Sequence, residues 1–296
     1  MKIPQLRKKL EIKSCHNINW EDNYSWVHQE NILEVLKDAN KLLPEVKEYL
    51  IQENKYTDFQ LKDTSQIQKT LFEEIKGRIK LNDESLKYKD KNYEYWTKTT
   101  VKGNYSIKLR KKIGTNHIEE IWNGDEEKKK LNTNYFGIGD LEVSFNDKYL
   151  AYSLDTKGSE YFTIHVRDIE TNTLVTEKIE DTSGSIMFSL DDKFIFYSKL
   201  DENHRPRKIF RHEIGKPIKD DILIFEEKTK AFTVGIGLTS DEKYYLVTSS
   251  DHNTTEKYYF SVDEKIPKPK LIRKREKGII YSINSWNNNF YMHTNK

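Results

Sequence analysis

Cysteine is nearly absent from this sequence, with only Cys15 among 296 residues. A lone cysteine excludes a disulfide framework within the chain and is typical of proteins from a reducing compartment. No stretch approaches 18 apolar residues, and the first seven residues lack the apolar core of a signal peptide. These absences predict a cytoplasmic protein that does not span a membrane.

An excess of charge of one sign is also missing. Lys and Arg number 50 and Asp and Glu number 48, which gives a formal net charge of +2. Dense basic runs occur only at Lys128–Lys130 and, with gaps, from Lys268 to Lys277, and we interpret them as solvated loops. Nucleic acid is therefore not an expected partner. The aromatic content of 12% favours a packed β structure over disorder.

Sequence motifs for enzymatic chemistry are missing as well. The sequence has no G-x-S-x-G string, no H-E-x-x-H string and no Cys/His spacing typical of zinc. We interpret Gly158-Ser159 and Gly184-Ser185 as turns rather than as sites of a nucleophile. We therefore predict no catalytic residue, no metal site and no cofactor in this chain, and the sequence identifies no substrate-binding residue.

What the sequence does contain is a repeat. Five times, an acidic or amide-rich turn precedes a run of aromatic and β-branched residues, and we take each run as the first strand of a unit. Intervals of 56, 45, 50 and 46 residues separate the starts of these runs, as in the blades of a β-propeller. A β-sandwich remains an alternative, whereas a parallel sheet does not, because no helical pattern intervenes between the strands. The runs begin at Tyr93, Tyr149, Phe194, Tyr244 and Phe290.

The fifth unit is expected to have one strand with no partner strand after it. We therefore predict an incomplete ring of four to five units with at least one unprotected sheet edge. Within the repeat, His165 and His212 fall on strands, where packing or solvent exposure is expected. The pairs Asp191-Asp192 and Asp220-Asp221 fall in turns, which they would form or where they would be solvated. Gly235-Ile236-Gly237 predicts a strand near a blade centre, where glycine would permit close backbone approach.

The first 85 residues have helical periodicity. Pro44 occupies a position suited to a first helical turn, and Val46, Tyr49 and Leu50 follow at helical spacing. We predict an all-β fold with an α-helical N-terminal segment: helices at 1–85 and an incomplete propeller at 86–296. The apolar stripes of these helices are expected to cover another domain. The second stripe comprises Ile67, Leu71, Phe72, Ile75 and Ile79.

Several strings in order resemble the prolyl oligopeptidase family of serine peptidases. Residues 22–26 (DNYSW) and 43–56 (LPEVKEYLIQENKY) are similar to its N-terminal signature. Residues 209–217 (IFRHEIGKP), followed by Asp221 and residues 224–227 (IFEE), most resemble oligopeptidase B. Lys216 departs from the threonine usual there, a proline expected near Leu86 is missing, and residues 30–41 form an insertion-like stretch.

The resemblance implies a seven-bladed propeller that covers the active site of a C-terminal α/β-hydrolase domain. That domain, which would carry the catalytic triad and is absent from these 296 residues, is the expected partner. Short peptides cut after Lys or Arg are the expected substrates, and the chain alone is expected to be inactive. A non-catalytic binding module and one half of a split peptidase remain alternatives.

Overall fold

The computed structural model describes all residues from Met1 to Lys296, which form two compact units. Unit 1 comprises residues 1–83 and 99–102, and unit 2 comprises residues 84–98 and 103–296. Unit 1 begins with a β-hairpin of β1 (Glu11–Cys15) and β2 (Ile18–Asp22), which sequence periodicity did not predict. The reversal lies at His16 and Asn17, both with positive φ, as a two-residue hairpin turn requires.

Three α-helices follow in unit 1: α1 (Ile32–Lys37), α2 (Pro44–Gln60) and α3 (Ser65–Gly77). Pro44 is the first residue of α2, as predicted, because a missing N–H is harmless in the first turn. Within the predicted stripe of α2, Val46 is buried, whereas Leu50 is 49% exposed. The helix α3 ends at Gly77, so Ile79 lies beyond it. Three 3₁₀ turns complete the helical elements of unit 1, at Ser25–Val27, Ala39–Lys41 and Lys62–Thr64, and a fourth lies in unit 2 at Ile218–Asp220.

Unit 2 consists of antiparallel sheets that follow one another along the chain, as in a propeller. Blade 1 contains β3 (Asp83–Glu84), β4 (Tyr88–Asp90), β5 (Tyr93–Thr99), β6 (Ile107–Lys112) and β7 (Ile118–Asn123). Blade 2 contains β8 (Gly137–Val143), β9 (Tyr149–Asp155), β10 (Phe162–Asp168) and the start of β11 (Ile179–Phe188).

The remaining strands complete three further blades. Blade 3 contains the end of β11 with β12 (Phe194–Leu200), β13 (Pro206–Glu213) and β14 (Ile222–Glu226). Blade 4 contains β15 (Thr233–Leu238), β16 (Tyr244–Ser250), β17 (Thr255–Ser261) and β18 (Lys270–Arg273). Blade 5 contains β19 (Tyr281–Trp286) and β20 (Asn289–Thr294). No strand of blade 5 pairs with blade 1, so the partial propeller predicted from the sequence is confirmed.

The strand β11 belongs to two blades. Its first half pairs with β10 through Ile179 and Thr182, and its second half pairs with β12 through Ile186 to Phe188. The register is irregular on both sides of Thr182, where Asp181 and Gly184 have positive φ. One continuous strand therefore carries the chain from the outer edge of blade 2 to the inner position of blade 3.

The sequence placed the aromatic runs correctly but misjudged their position within each blade. The runs that begin at Tyr149, Phe194 and Tyr244 are second strands, because β8, the end of β11 and β15 precede and pair with them. The expectation of a single strand in the fifth unit is likewise wrong, since β19 pairs with β20 along its whole length. Inner strands such as β15 are poor in aromatic residues, so the aromatic repeat did not show that they begin each blade.

One helix does intervene between strands, contrary to expectation. The helix α4 (Gly124–Leu131) connects blades 1 and 2, and Lys128–Lys130 lie in its last turn rather than in a loop. Asn123 caps it by accepting a hydrogen bond from the Glu126 N–H, and Asn132 ends it in the left-handed conformation. Acidic residues in the first turn and lysines in the last match the helix dipole.

Apolar clusters fill the spaces between adjacent blades. Trp122 of blade 1 packs with Leu150 and Tyr152 of blade 2, and blade 4 packs on blade 5 through Leu246 and Tyr281. Complete burial of each large side chain contributes about 1.5–3 kcal/mol, so these interfaces hold the blades together. The cluster between blades 2 and 3 contains Ala151, Ile164, Val166, Ile179, Ile186, Phe188, Ile195 and Tyr197. The cluster between blades 3 and 4 contains Phe196, Ile209, Ile224, Val234, Tyr245, Val247 and Phe260.

Candidate functional site: the inner strands and the turns that fix them

The first strand of each blade lies on the inner side of unit 2. The Asp140 carboxylate of β8 accepts a hydrogen bond from the Ile186 N–H of β11, at 3.1 Å. Ser153 donates to the Gly184 carbonyl at 2.7 Å, which ties blade 2 to the same inner strand. Since successive inner strands approach one another in this way, they form the surface that any molecule passing along the propeller axis would meet.

Glycine is required where the inner strands of blades 2 and 3 meet. A Cβ on Gly139 would lie 2.5 Å from the Ser153 hydroxyl and 2.9 Å from the Phe162 ring. Gly184 has φ of +90° and also lies against Phe162, where a Cβ would be 2.9 Å from the ring. The two glycines let the backbones approach closely enough to make the hydrogen bonds just described.

The inner strand of blade 4 is different. A Cβ on Gly235 or on Gly237 would meet no atom within 4 Å. The prediction that another backbone segment approaches these glycines closely is therefore wrong. These residues share one face of β15, while Val234, Ile236 and Leu238 pack toward blade 3. The glycine face of β15 therefore borders open space.

Charged side chains gather near the inner strand of blade 2. The Lys108 ammonium donates to the Leu141 carbonyl at 3.3 Å, and burial lowers the pKa of Lys108. Desolvation by the surrounding strands raises the pKa of Glu142, and the nearby charge of Asp140 adds to that shift. With two carboxylates and one ammonium group, this inner surface favours cations when all three are charged.

The turns that join first and second strands lock neighbouring blades together. In blade 3 the turn residue Asp192 is buried, and its carboxylate accepts from the Phe145 and Asn146 N–H groups of the blade 2 turn at 2.7 and 2.6 Å. Burial raises the pKa of Asp192, and the two hydrogen bonds act against that shift. The Tyr95 hydroxyl of blade 1 donates to Asp147 at 2.6 Å. These acidic turns therefore position the blades, and Asp192 is not solvated.

A buried ionic cluster connects blades 3 and 4. The Arg275 guanidinium lies 2.6 Å from both Glu227 and Glu256, whose side chains are 4% and 7% exposed. Although burial opposes the shift, hydrogen bonds from Ser249 and Arg275 lower the pKa of Glu227 to about 2. Both carboxylates are therefore ionised at neutral pH. The face of the Phe232 ring lies 4.1 Å from the guanidinium carbon and adds a cation–π contact.

The histidines predicted to lie on strands are both buried. His165 stacks on Tyr152 with ring centroids 5.0 Å apart, and burial lowers its pKa to about 4, so it is neutral at pH 7. The His212 Nδ1 atom lies 2.6 Å from Asp221, which also accepts from the Tyr197 hydroxyl at 2.7 Å. Asp221 therefore does not serve as a solvated turn residue.

The other residues considered in the sequence analysis do not come together in one site. Ser159 is buried in the turn after β9, Ser185 lies within β11 rather than in a separate turn, and Cys15 is exposed in the N-terminal hairpin. No cluster of three or more His, Cys, Asp or Glu side chains has a geometry suited to a metal ion. No helix is long and apolar enough to cross a membrane. Sequence reasoning missed the Glu227–Arg275–Glu256 cluster, because its members lie up to 48 residues apart.

Successive antiparallel blades that follow a helical segment along the chain define an incomplete propeller domain. Residues 4–296 match the family model described as prolyl oligopeptidase, N-terminal beta-propeller domain. The chain belongs to this family.

Two curated relatives illustrate the similarity. Protease 2 of Moraxella lacunata is 25% identical over 303 residues, which cover 100% of this chain and 42% of the relative. Dipeptidyl aminopeptidase BI of Pseudoxanthomonas mexicana is 26% identical over 262 residues, which cover 83% of this chain and 35% of the relative. The chain thus spans less than half the length of these relatives.

Solved structures show the same fold. Oligopeptidase B from Trypanosoma brucei, in a closed form with covalently bound antipain, superposes with a TM-score of 0.86 at 22% identity. That match covers 100% of this chain and 43% of the other. Oligopeptidase B from Leishmania major gives a TM-score of 0.87 at 21% identity and covers 99% and 43%. With the family model matched over residues 4–296, the predicted resemblance to the prolyl oligopeptidase family is confirmed.

Proposed function

We propose that this chain is the substrate-gating part of a cytoplasmic, oligopeptidase B-like serine peptidase that cuts short peptides after Lys or Arg. The observation that carries the proposal is the match over the whole chain to a peptidase propeller, together with structural likeness to oligopeptidase B. A propeller that covers an active site admits flexible peptides and excludes folded proteins. The acidic residues Asp140 and Glu142 on the inner side suit cationic peptides.

The partner in this proposal is a C-terminal α/β-hydrolase domain that docks on the helical segment at 1–85, with the propeller at 86–296 as the lid. The exposed stripe of α3 supports this arrangement, because Leu71, Phe72 and Ile75 are 48%, 59% and 61% exposed. A row of large apolar side chains on one helix face is typical of a surface that another domain covers. The relatives have ample additional length to supply that domain.

The proposal is tested by combining this chain with the hydrolase domain encoded in the same genome, whether in the same reading frame or separately. The assembly should release a fluorophore from a short peptide ending in Arg, leave a folded protein intact, and lose that discrimination when unit 2 is deleted. An assembly that forms but hydrolyses neither Arg- nor Lys-ended peptides would contradict the substrate assignment. Failure of any hydrolase domain to bind would favour a separate binding module.

Docking can be tested apart from catalysis. Leu71→Asp with Ile75→Asp should abolish assembly, whereas Gln66→Asp with Thr70→Asp on the opposite face of α3 should leave it intact. Equal binding by both double variants would show that the apolar face is not the docking surface. Size-exclusion chromatography of the mixed components supplies the measurement.

A further inference from the structure

A second concave site lies on blade 3, away from the inner strands. This open concavity has a volume of about 520 Å³ and lies between the end of β12, the start of β13 and the segment after β14. Leu200 and Phe210 provide its apolar wall. A volume of this size is within the range of small-molecule sites. Nothing in the proposed gating function uses it.

The lining of this pocket carries more positive than negative charge. Two of its cations are neutralised locally, since Arg207 lies 3.7 Å from Asp201 and Lys208 lies 3.4 Å from Glu226. Three further lysines have no carboxylate within ion-pair distance, and Glu202 is the remaining acid. These three are Lys199, Lys228 and Lys230.

The sheet itself places two of the lysines against each other. Lys199 and Lys208 are direct partners across the antiparallel pair of β12 and β13, so both side chains leave the same face of the sheet. Like charges directly opposite each other destabilise a sheet. Because Glu226 neutralises only Lys208, the ammonium group of Lys199 remains uncompensated. An anion bound in the pocket would remove this repulsion.

We infer that this pocket, defined by Lys199, Lys228 and Lys230, binds a small ligand carrying at least two phosphate charges. Lysine ammonium groups bind phosphate as mobile point charges, and three lysines from one strand and one loop line this same cavity. Two phosphate charges match the excess positive charge of the pocket lining better than a single carboxylate, which one lysine would neutralise. The apolar wall leaves room for an uncharged part of the ligand beside Phe210.

Inorganic pyrophosphate is the probe for this inference, and titration calorimetry of the 296-residue chain at constant ionic strength is the measurement. We expect one saturable site, and at least a tenfold loss of affinity when Lys199, Lys228 and Lys230 are all replaced by Gln. The matched control replaces Lys128, Lys129 and Lys130 of α4 by Gln, with the same change in charge and less than a twofold effect. Circular dichroism verifies that each variant keeps the wild-type spectrum.

The control also separates a specific site from attraction to net charge. Equal losses of pyrophosphate affinity in the two triple variants would overturn the inference. Binding that sulfate at the same ionic strength abolishes would overturn it as well.

A second measurement tests whether Lys199 is repelled by Lys208 in the ligand-free protein. Lys199→Gln alone should keep or raise the melting temperature and should halve or abolish the upward shift that pyrophosphate causes. A lower melting temperature without ligand would assign Lys199 a merely structural role.

Discussion

The helix α3 and blade 3 both carry large apolar side chains, but only those of the blade are covered within this chain. Phe196 of blade 3 is 2% exposed and packs with residues of blade 4, whereas Phe72 of α3 is 59% exposed. The blades therefore bury their apolar side chains by packing against one another. The exposed face of α3 is the surface that the proposed hydrolase domain would cover.

The largest expected difference between these regions comes from a matched pair of truncations. Phe196→Ala should lower the free energy of unfolding by about 3–5 kcal/mol, because it leaves a cavity between blades 3 and 4. Phe72→Ala should change the free energy of unfolding by no more than about 0.5 kcal/mol, as is usual at exposed sites. Denaturant titration monitored by tryptophan fluorescence measures both. Comparable losses would show that α3 is buried in solution and would break the comparison.

Ion pairs sharpen the same contrast. Glu227→Gln should lower the free energy of unfolding by about 3 kcal/mol, because Arg275 is left with one fewer buried anion. Breaking the exposed Glu74–Arg78 pair of α3 by Arg78→Gln should cost less than about 0.5 kcal/mol. Urea titrations at pH 7 compare the two variants. A mild effect of Glu227→Gln would mean that the buried cluster does not join the blades.

Acid sensitivity supplies an independent test of that cluster. The pKa of Glu227 is about 2 in the folded chain and near 4.5 when unfolded. Its stabilising contribution is therefore complete above pH 4.5 and is lost as the pH falls from about 4.5 to about 2. Stability measured across this window should fall less steeply in Glu227→Gln than in the wild-type chain. Parallel curves would contradict the assigned role of the carboxylate.

Two glycines test the description of the inner strands. Gly139→Ala should destabilise the fold by about 1–3 kcal/mol, since the added methyl group collides with Ser153 and Phe162. Gly237→Ala meets open space and should be neutral or stabilise by up to about 1 kcal/mol. Thermal unfolding of both variants gives the answer. A destabilising Gly237→Ala would mean that the inner face of blade 4 is more crowded than the structure has it.

The sequence revealed the repeating architecture better than the details within each blade. Aromatic runs after acidic turns located the second strands, since Tyr149 packs on the cluster between blades 2 and 3 and Tyr244 contacts Phe290 of blade 5. The inner strand β15 was predicted as a strand from Gly235-Ile236-Gly237, but its lack of aromatic residues hid its place as the first strand of blade 4. The helix α4 could have been predicted from its cap and charges, but its lysines were interpreted as a loop.

The candidate site was less predictable than the fold. Asp192 and Asp221 were recognised as turn residues, yet their buried partners come from other turns and strands. Arg275 pairs with Glu227 and Glu256 only when blades 3 and 4 are packed together, so no short sequence motif predicts the cluster. The motif resemblance, in contrast, depends on the order of short strings along one chain, which is why it identified the family.

The central claim is that this propeller gates a peptidase, and hydrolysis by the assembled protein tests it most directly. An assembly with the hydrolase domain should cleave a short Arg-ended peptide and spare a folded protein that contains the same sequence. Equal cleavage of folded and short substrates by the intact assembly would contradict the account.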